Sequence, residues 1–228
     1  MYRQVPFGCL SLILFVGLII LFPIFLANIM VGAMAKLGLS PGTSLLAVIA
    51  IFIGGLVNIP VRKVPRVMSI ETAPLQMFGF QRLAPEWMRQ TSYTVIAVNV
   101  GGCVIPCLIA VYELARISTH GTTAILITLA AIAVNVGVCH LIARPVPNVG
   151  ITMPAPIPAL AAALCALLLI RPLAAPVAFT AGVLGPLIGA DLLNLRRIER
   201  ISSGVMSIGG AGTFDGIVLS GLVATLLA

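Results

Sequence analysis

The charged residues of this chain cluster between long apolar stretches instead of forming the polar face of amphipathic elements. A helix needs about 20 apolar residues to cross a hydrocarbon layer of about 30 Å, and in lipid its backbone polar groups must all pair within the segment. By that length test seven spans are expected, near Phe7–Ala35, Pro41–Ile59, Ser92–Leu114, Thr122–Ile142, Pro154–Ile170, Ala174–Leu195 and Val205–Ala228. The expected fold is therefore all-α, a polytopic membrane helix bundle of about seven transmembrane helices, with residues 1–228 as a single integral membrane domain. One sizeable connection, the loop 61–91, carries Pro65, Pro74 and Pro85, and Pro60 just precedes it; these prolines break any continuous helix. Phe78, Phe80 and Trp87 beside Arg82 and Arg89 suit a headgroup layer, so this loop is expected at the cytoplasmic interface.

Composition strengthens the membrane assignment. Of 228 residues, 60% are hydrophobic and 8% charged, against roughly 45–50% and 25% in soluble domains, which excludes a water-soluble core, disorder and collagen. All five cysteines fall in apolar runs, where a secreted disulfide framework would not sit. The first apolar run is much longer than the ~7–15 residues of a signal-peptide core, so it is expected to stay as a span despite the small-residue sequence Ala33-Met34-Ala35.

Short loops rich in Lys and Arg remain cytoplasmic. Arg3, then Arg62, Lys63, Arg66, Arg82 and Arg89, then Arg144, then Arg196, Arg197 and Arg200 fall on one side of the expected spans; Lys36, Arg116 and Arg171 fall on the other. The amino terminus is accordingly expected in the cytoplasm and the protein in the inner membrane, with the lipid bilayer as its first partner. This bias accounts for the net charge of +7. Nucleic acid is not expected as a partner, because the cations are dispersed without interleaved aromatics.

Two carboxylates lie inside the expected spans, Asp191 and Asp215. An aspartate at mid-helix costs about 2.5–3.5 kcal/mol on insertion scales, so such an acid faces a cavity or a partner and marks a functional site by default. Counting from the loops, Asp191 lies about 8 Å and Asp215 about 18 Å from the cytoplasmic edge if both paths are helical. The run Gly209-Gly210-Ala211-Gly212 permits an unwound entry that leaves Asp215 near the amino end of a half-helix, where free backbone amides favour negative charge. Gly185 with Gly189 and Gly212 with Gly216 have the spacing that lets two helix backbones approach closely, and are expected to bring the sixth and seventh spans together.

Asn99 and Asn135 occupy matching places in the repeated sequence Ile-Ala-Val-Asn-Val-Gly, at 96–101 and 132–137. As amides in hydrocarbon they are expected to bond between helices or to line a pocket. If the two aspartates face one another, low dielectric and like charge make them share a proton, so that one acts as base and the other as acid towards water and a scissile amide. Two other roles stay open: Asp191 pairing with Arg196 or Asn194, and Asp215 serving as a proton or cation site.

Leu37–Pro41, Val57–Pro60, Val98–Gly102, Gly189–Leu195 and Gly209–Gly216 together resemble a bacterial and archaeal multi-pass membrane family filed as domain of unknown function 1614. That resemblance implies fold and location, and no activity. A more distant resemblance is to the presenilin and signal-peptide-peptidase type of intramembrane aspartyl protease. In that type an inward and then an outward span each carry an aspartate, the second within Gly-x-Gly-Asp, beside a Pro-Ala-Leu motif. Here Gly212 matches the first glycine, Phe214 replaces the second, and Pro154-Ala155-Pro156-Ile157-Pro158 precedes the acids instead of following them. The expected site is a polar cavity open to the cytoplasm in which Asp191 and Asp215 are catalytic, Asn58, Asn99 and Asn135 line the walls, the glycine run with Gly210 and Gly212 admits a membrane-protein or peptide substrate, and Pro154 and Pro156 flank the cleft. The competing readings are a proton- or cation-coupled small-solute transporter and a non-catalytic membrane scaffold. There is no HExxH, Walker A or GxGxxG, and His120 and His140 are far apart, so neither metal nor cofactor is expected. The sequence leaves the oligomeric state open.

Overall fold

The structure, a computed structural model, describes residues 9–69, 89–146, 150–195 and 204–228. Helices predominate. Four of them are long and apolar enough to cross a membrane: Leu14–Lys36, Val100–Ser118, Thr122–Ile142 and Arg171–Leu192. The first lies within α1 (Cys9–Lys36). The second is a π-helical turn, Val100–Val104, leading into α3 (Ile105–Ser118). The third is α4 (Thr122–Ile142), and the fourth is α6 (Ala174–Gly185) with a 3-10 turn before it and a π-helical segment, Pro186–Leu192, after it. Pro106 and Pro186 adjoin the two π segments; a proline cannot donate the i→i−4 bond, and the widened turn accommodates that gap.

The other helices are α2 (Pro41–Gly54), α5 (Pro156–Leu169) and α7 (Gly216–Leu227), of 14, 14 and 12 residues. At about 1.5 Å per residue they reach about 18–21 Å, short of the hydrocarbon thickness. The expected spans of α2 and α7 are shortened by residues that are extended instead, in Asn58–Ser69 and Gly204–Ile208, whereas that of α5 loses only its ends. The fold is therefore helical with a sheet added, which corrects the all-α expectation. β1 (Asn58–Ser69) pairs antiparallel with β2 (Arg89–Asn99), and β2 pairs parallel with β5 (Gly204–Ile208), giving the order β1-β2-β5. A hairpin of β3 (Arg144–Val146) and β4 (Gly150–Thr152) follows α4.

The expected third span thus starts as a strand. Thr91–Val98 is rich in β-branched residues and contains Tyr93, which suits a pleated surface with a partner on each side. The expected loop 61–91 is likewise strand at both ends; residues 70–88, with Phe78, Phe80, Arg82 and Trp87, lie outside the described residues. Pro60 and Pro65 are tolerated because β1 is an edge strand, and the register shifts between Pro60 and Arg62.

Helix α6 forms the centre and packs on α3, α4, α5 and α7. Small residues permit that crowding: Ala131, Ala159, Ala162, Ala178, Ala181 and Ala224 are all fully buried. At one end of the bundle Lys36 Nζ donates to the carbonyls of Thr225 (3.3 Å) and Leu226 (2.9 Å), and Arg116 Nη1 donates to the carbonyl of Leu37. The ends of α1, α3 and α7 therefore meet there. The ends of α2, α4 and α6 gather at the opposite end, around the strands.

The first half of α1 is bare. From Leu14 to Phe22 its large apolar residues are about half exposed, whereas Met30, Ala33, Met34 and Leu37 are buried. A helix apolar on every side and uncovered by its own fold suits lipid.

Candidate functional site

Asp191 sits in the π-helical end of α6, and Asp215 directly precedes α7. Both line one cavity of about 430 Å³, walled by Ile96 of β2, by β4, by Val205–Ile208 of β5 and by Gly209–Ala211. A smaller adjoining chamber of about 220 Å³ is again lined by both acids.

The two carboxylates are held differently. Asp215 caps α7: its Oδ1 accepts the backbone N–H of Ile217 at 3.0 Å, and its Oδ2 accepts that of Ala211 at 3.4 Å. The glycine run does unwind ahead of it. Gly209 and Gly212 have φ of +70° and +59°, a conformation that side-chain-bearing residues rarely adopt. The half-helix is expected to begin around Thr213; residues Gly212–Phe214 form a 3-10 turn and α7 begins at Gly216, so Asp215 caps the helix from outside it.

Asp191, by contrast, has no hydrogen bond or ion pair among the described residues. Asn194 does not serve it within that set: its amide donates to the carbonyls of Gly189 (3.2 Å) and Ala190 (2.9 Å). Arg196 lies outside the described residues. A carboxylate with no partner among the described residues and lining a cavity can hold water there.

The other expected site residues are dispersed. Asn99 is fully buried and saturated: its Nδ2 donates to the carbonyl of Gly55 (2.8 Å) and to Asn58 Oδ1 (3.1 Å), and its Oδ1 accepts from Gly102 N–H at 2.7 Å. It fastens α2, β1 and the π turn. Asn58 Oδ1 also accepts from Ser207 Oγ at 2.5 Å, which ties β1 to the cavity wall on β5. Asn135, fully buried in α4, donates to the carbonyl of Ala181 at 2.8 Å. Asn99 and Asn135 do not meet, and neither lines the cavity. Gly210 does line it. Pro154 lines a neighbouring depression, and Pro156 starts α5.

The glycine spacings act elsewhere than expected. Gly185 and Gly189 make room for Asn135, Val136 and Cys139 of α4, not for α7. Gly212 lies against Gly55, and Gly216 receives the tip of Met153. The close approach of α6 to α7 comes instead from Gly182 against Gly221, a pair at non-matching spacing on two helices.

Sequence reasoning did not find β4 and β5 as cavity walls, nor the buried Glu113, which is 0% exposed and paired with Arg116 at 3.1 Å. The apolar run Val205-Met206-Ser207-Ile208 just before the glycines was the available trace of β5. Among the described residues Cys139 and His140 join no group of metal-ligating side chains, and His140 Nδ1 is 3.3 Å from the carbonyl of Gly189.

Fold and cavity together define a helical protein of membrane type with two acids lining one cavity of otherwise mostly apolar walls. A family model described as "Protein of unknown function (DUF1614)" matches residues 51–227, and the chain belongs to that family. No curated protein matches it, and no solved structure does.

Proposed function

We propose that the protein is a membrane-embedded aspartyl hydrolase, held in the inner membrane by seven helical segments, four long enough to cross and three shorter, with a cytoplasmic amino terminus, that cleaves peptide bonds near the cytoplasmic side of the bilayer. The observation that carries this reading is the shared cavity: two carboxylates from consecutive helices, one engaged by backbone amides and one with no hydrogen bond or ion pair among the described residues, around a space large enough for water and an extended backbone. One carboxylate takes a proton from the bound water as its oxygen attacks the scissile carbonyl. The other gives a proton to the departing amide nitrogen.

Helix α1 supports the depth. Phe22 stacks on Phe214, next to Asp215, with ring centroids 6.2 Å apart. If Leu14–Lys36 crosses the hydrocarbon, Phe22 lies eight residues in, and the acids sit about 12 Å inside the leaflet. Irregular backbone at that depth must line a cavity, as Gly209–Ala211 do.

The test is cleavage of a membrane-anchored reporter by the reconstituted protein. Asp191→Asn and Asp215→Asn should each lower the rate at least about 100-fold while the variants remain folded, the scale of losing an acid or base. A second reading, a proton- or cation-coupled solute carrier, is favoured by the broken helices that bear both acids. It predicts unchanged reporter and loss of proton-linked uptake in liposomes.

A further inference from the structure

Beside the acid chambers, where α4 ends and α5 begins, lies a depression of about 530 Å³. Its walls are apolar, from Leu141, Ile142, Pro154 and Ile157, and it contains one cation, Arg144. Leu141 and Ile157 are 85% and 44% exposed, and apolar side chains beside an arginine at a helix end match the hydrocarbon edge of a membrane. The depression is therefore a groove that opens to lipid.

Only two residues are shared between this groove and the smaller chamber that holds Asp191 and Asp215: Thr152 and Met153. Thr152 is fixed, its Oγ1 donating to the carbonyl of Arg144 at 3.2 Å. Met153 has no such tie. Its methyl group rests on Gly216, where an added Cβ would stand 2.8 Å away. An unbranched thioether with three rotatable bonds changes shape at low cost, and here it separates a lipid-facing groove from the two acids.

We propose that the acid pair is served sideways from the bilayer: a hydrophobic, membrane-embedded peptide segment enters along the α4–α5 groove and reaches Asp191 and Asp215 by displacing the Met153 side chain from Gly216. The identity of the substrate rests on the hydrolase reading; the path does not. Continuity of the groove with the acid chamber through one movable side chain is what selects this entrance, and the groove's apolar walls select a segment that already resides in lipid.

The path is tested without turnover. Full-length Ala211→Cys, which places a thiol in both acid chambers, is reconstituted in liposomes and labelled either by a maleimide borne on an acyl chain or by a charged, water-soluble maleimide. Labelling of the five native cysteines in the unsubstituted protein gives the baseline. Met153→Ala should raise the acyl-borne rate roughly fivefold and Met153→Trp should lower it roughly tenfold, the scale of a packing change of about 1–1.4 kcal/mol. The water-soluble rate should stay constant. Gly216→Ala, which pushes the methyl group off its seat without altering Met153, should act like Met153→Ala and keeps the test open should a Met153 variant misfold. Co-reconstituted hydrophobic transmembrane peptide should slow the acyl-borne reaction. Equal changes with both reagents, or none with either, would overturn the lateral path, and protection by added phospholipid but not by peptide would overturn the peptide as occupant. Loss of reporter cleavage in the aspartate variants bears only on the hydrolase reading, so the two fail separately.

Discussion

Asp215 accepts the backbone N–H of Ile217 at 3.0 Å and so starts α7 with the same side chain that faces the cavity of Asp191. Structure and chemistry thus share one carboxylate, and substitutions can divide them. Asparagine is as good a helix cap as aspartate, whereas replacing a cap with alanine costs about 1 kcal/mol. Asp215→Asn should therefore melt close to the unsubstituted protein in detergent, and Asp215→Ala should melt measurably lower. If both lose the proposed activity, the carboxylate itself is needed; an Asn variant that is active reduces Asp215 to a cap.

At Asp191 the same reasoning gives the opposite stability pattern. Its carboxylate has no hydrogen bond or ion pair among the described residues, so Asp191→Asn removes no contact seen there. Burying an acid costs more than burying an amide. The variant should be at least as stable as the parent by thermal melting while the proposed cleavage falls. A melting temperature several degrees lower would reveal a structural partner and weaken the site.

How far the sequence disclosed this arrangement depends on which force decided each element. Segments fixed by apolar length were legible: Leu14–Lys36, Thr122–Ile142 and Arg171–Leu192 lie where hydropathy puts them. So was the half-helix after the glycines, because backbone freedom at Gly209 and Gly212 is a local property. Segments fixed by partners were not. The hexapeptide Ile-Ala-Val-Asn-Val-Gly is strand and turn at 96–101 and helix at 132–137, since the first copy is paired on both sides by β1 and β5 and the second is packed in α4. An apolar run with no alternation reads equally as buried strand or buried helix, which is why β5 was hidden. The acids were identifiable by cost alone; the walls around them were not.

Around Gly101 and Gly102 the backbones of three segments touch. A Cβ on Gly101 would stand 2.0 Å from the Ile51 carbonyl oxygen, and one on Gly102 would stand 1.9 Å from that of Gly209. Both obstacles are backbone atoms, which cannot swing aside, so Gly101→Ala or Gly102→Ala should cost more than about 3 kcal/mol and abolish monodisperse protein in detergent. Gly137, inside α4 with nothing within 4 Å of an added Cβ, provides the contrast. There alanine should stabilise by up to about 1 kcal/mol through helix propensity. Size-exclusion profiles and melting curves of the three variants test the packing at the cavity's base.

Glu113 and Arg116 offer a test at the far end of the bundle. Glu113 is wholly buried, and both its oxygens lie 3.1 Å from Arg116 Nη1, while Arg116 is 41% exposed and also donates to the carbonyl of Leu37. Removing one member of a fully buried pair costs about 3–5 kcal/mol because the other charge is stranded; with one partner open to solvent the loss should fall to about 2–3 kcal/mol. Arg116→Ala should show that loss. Glu113→Gln should be milder, since the remaining arginine keeps solvent and the Leu37 carbonyl. The double variant should then recover part of the Arg116→Ala deficit, because the glutamine left behind carries no charge to strand. Melting temperatures of the four proteins form a double-mutant cycle. Additive losses would mean that the pair, although close, does not hold the ends of α1 and α3 together.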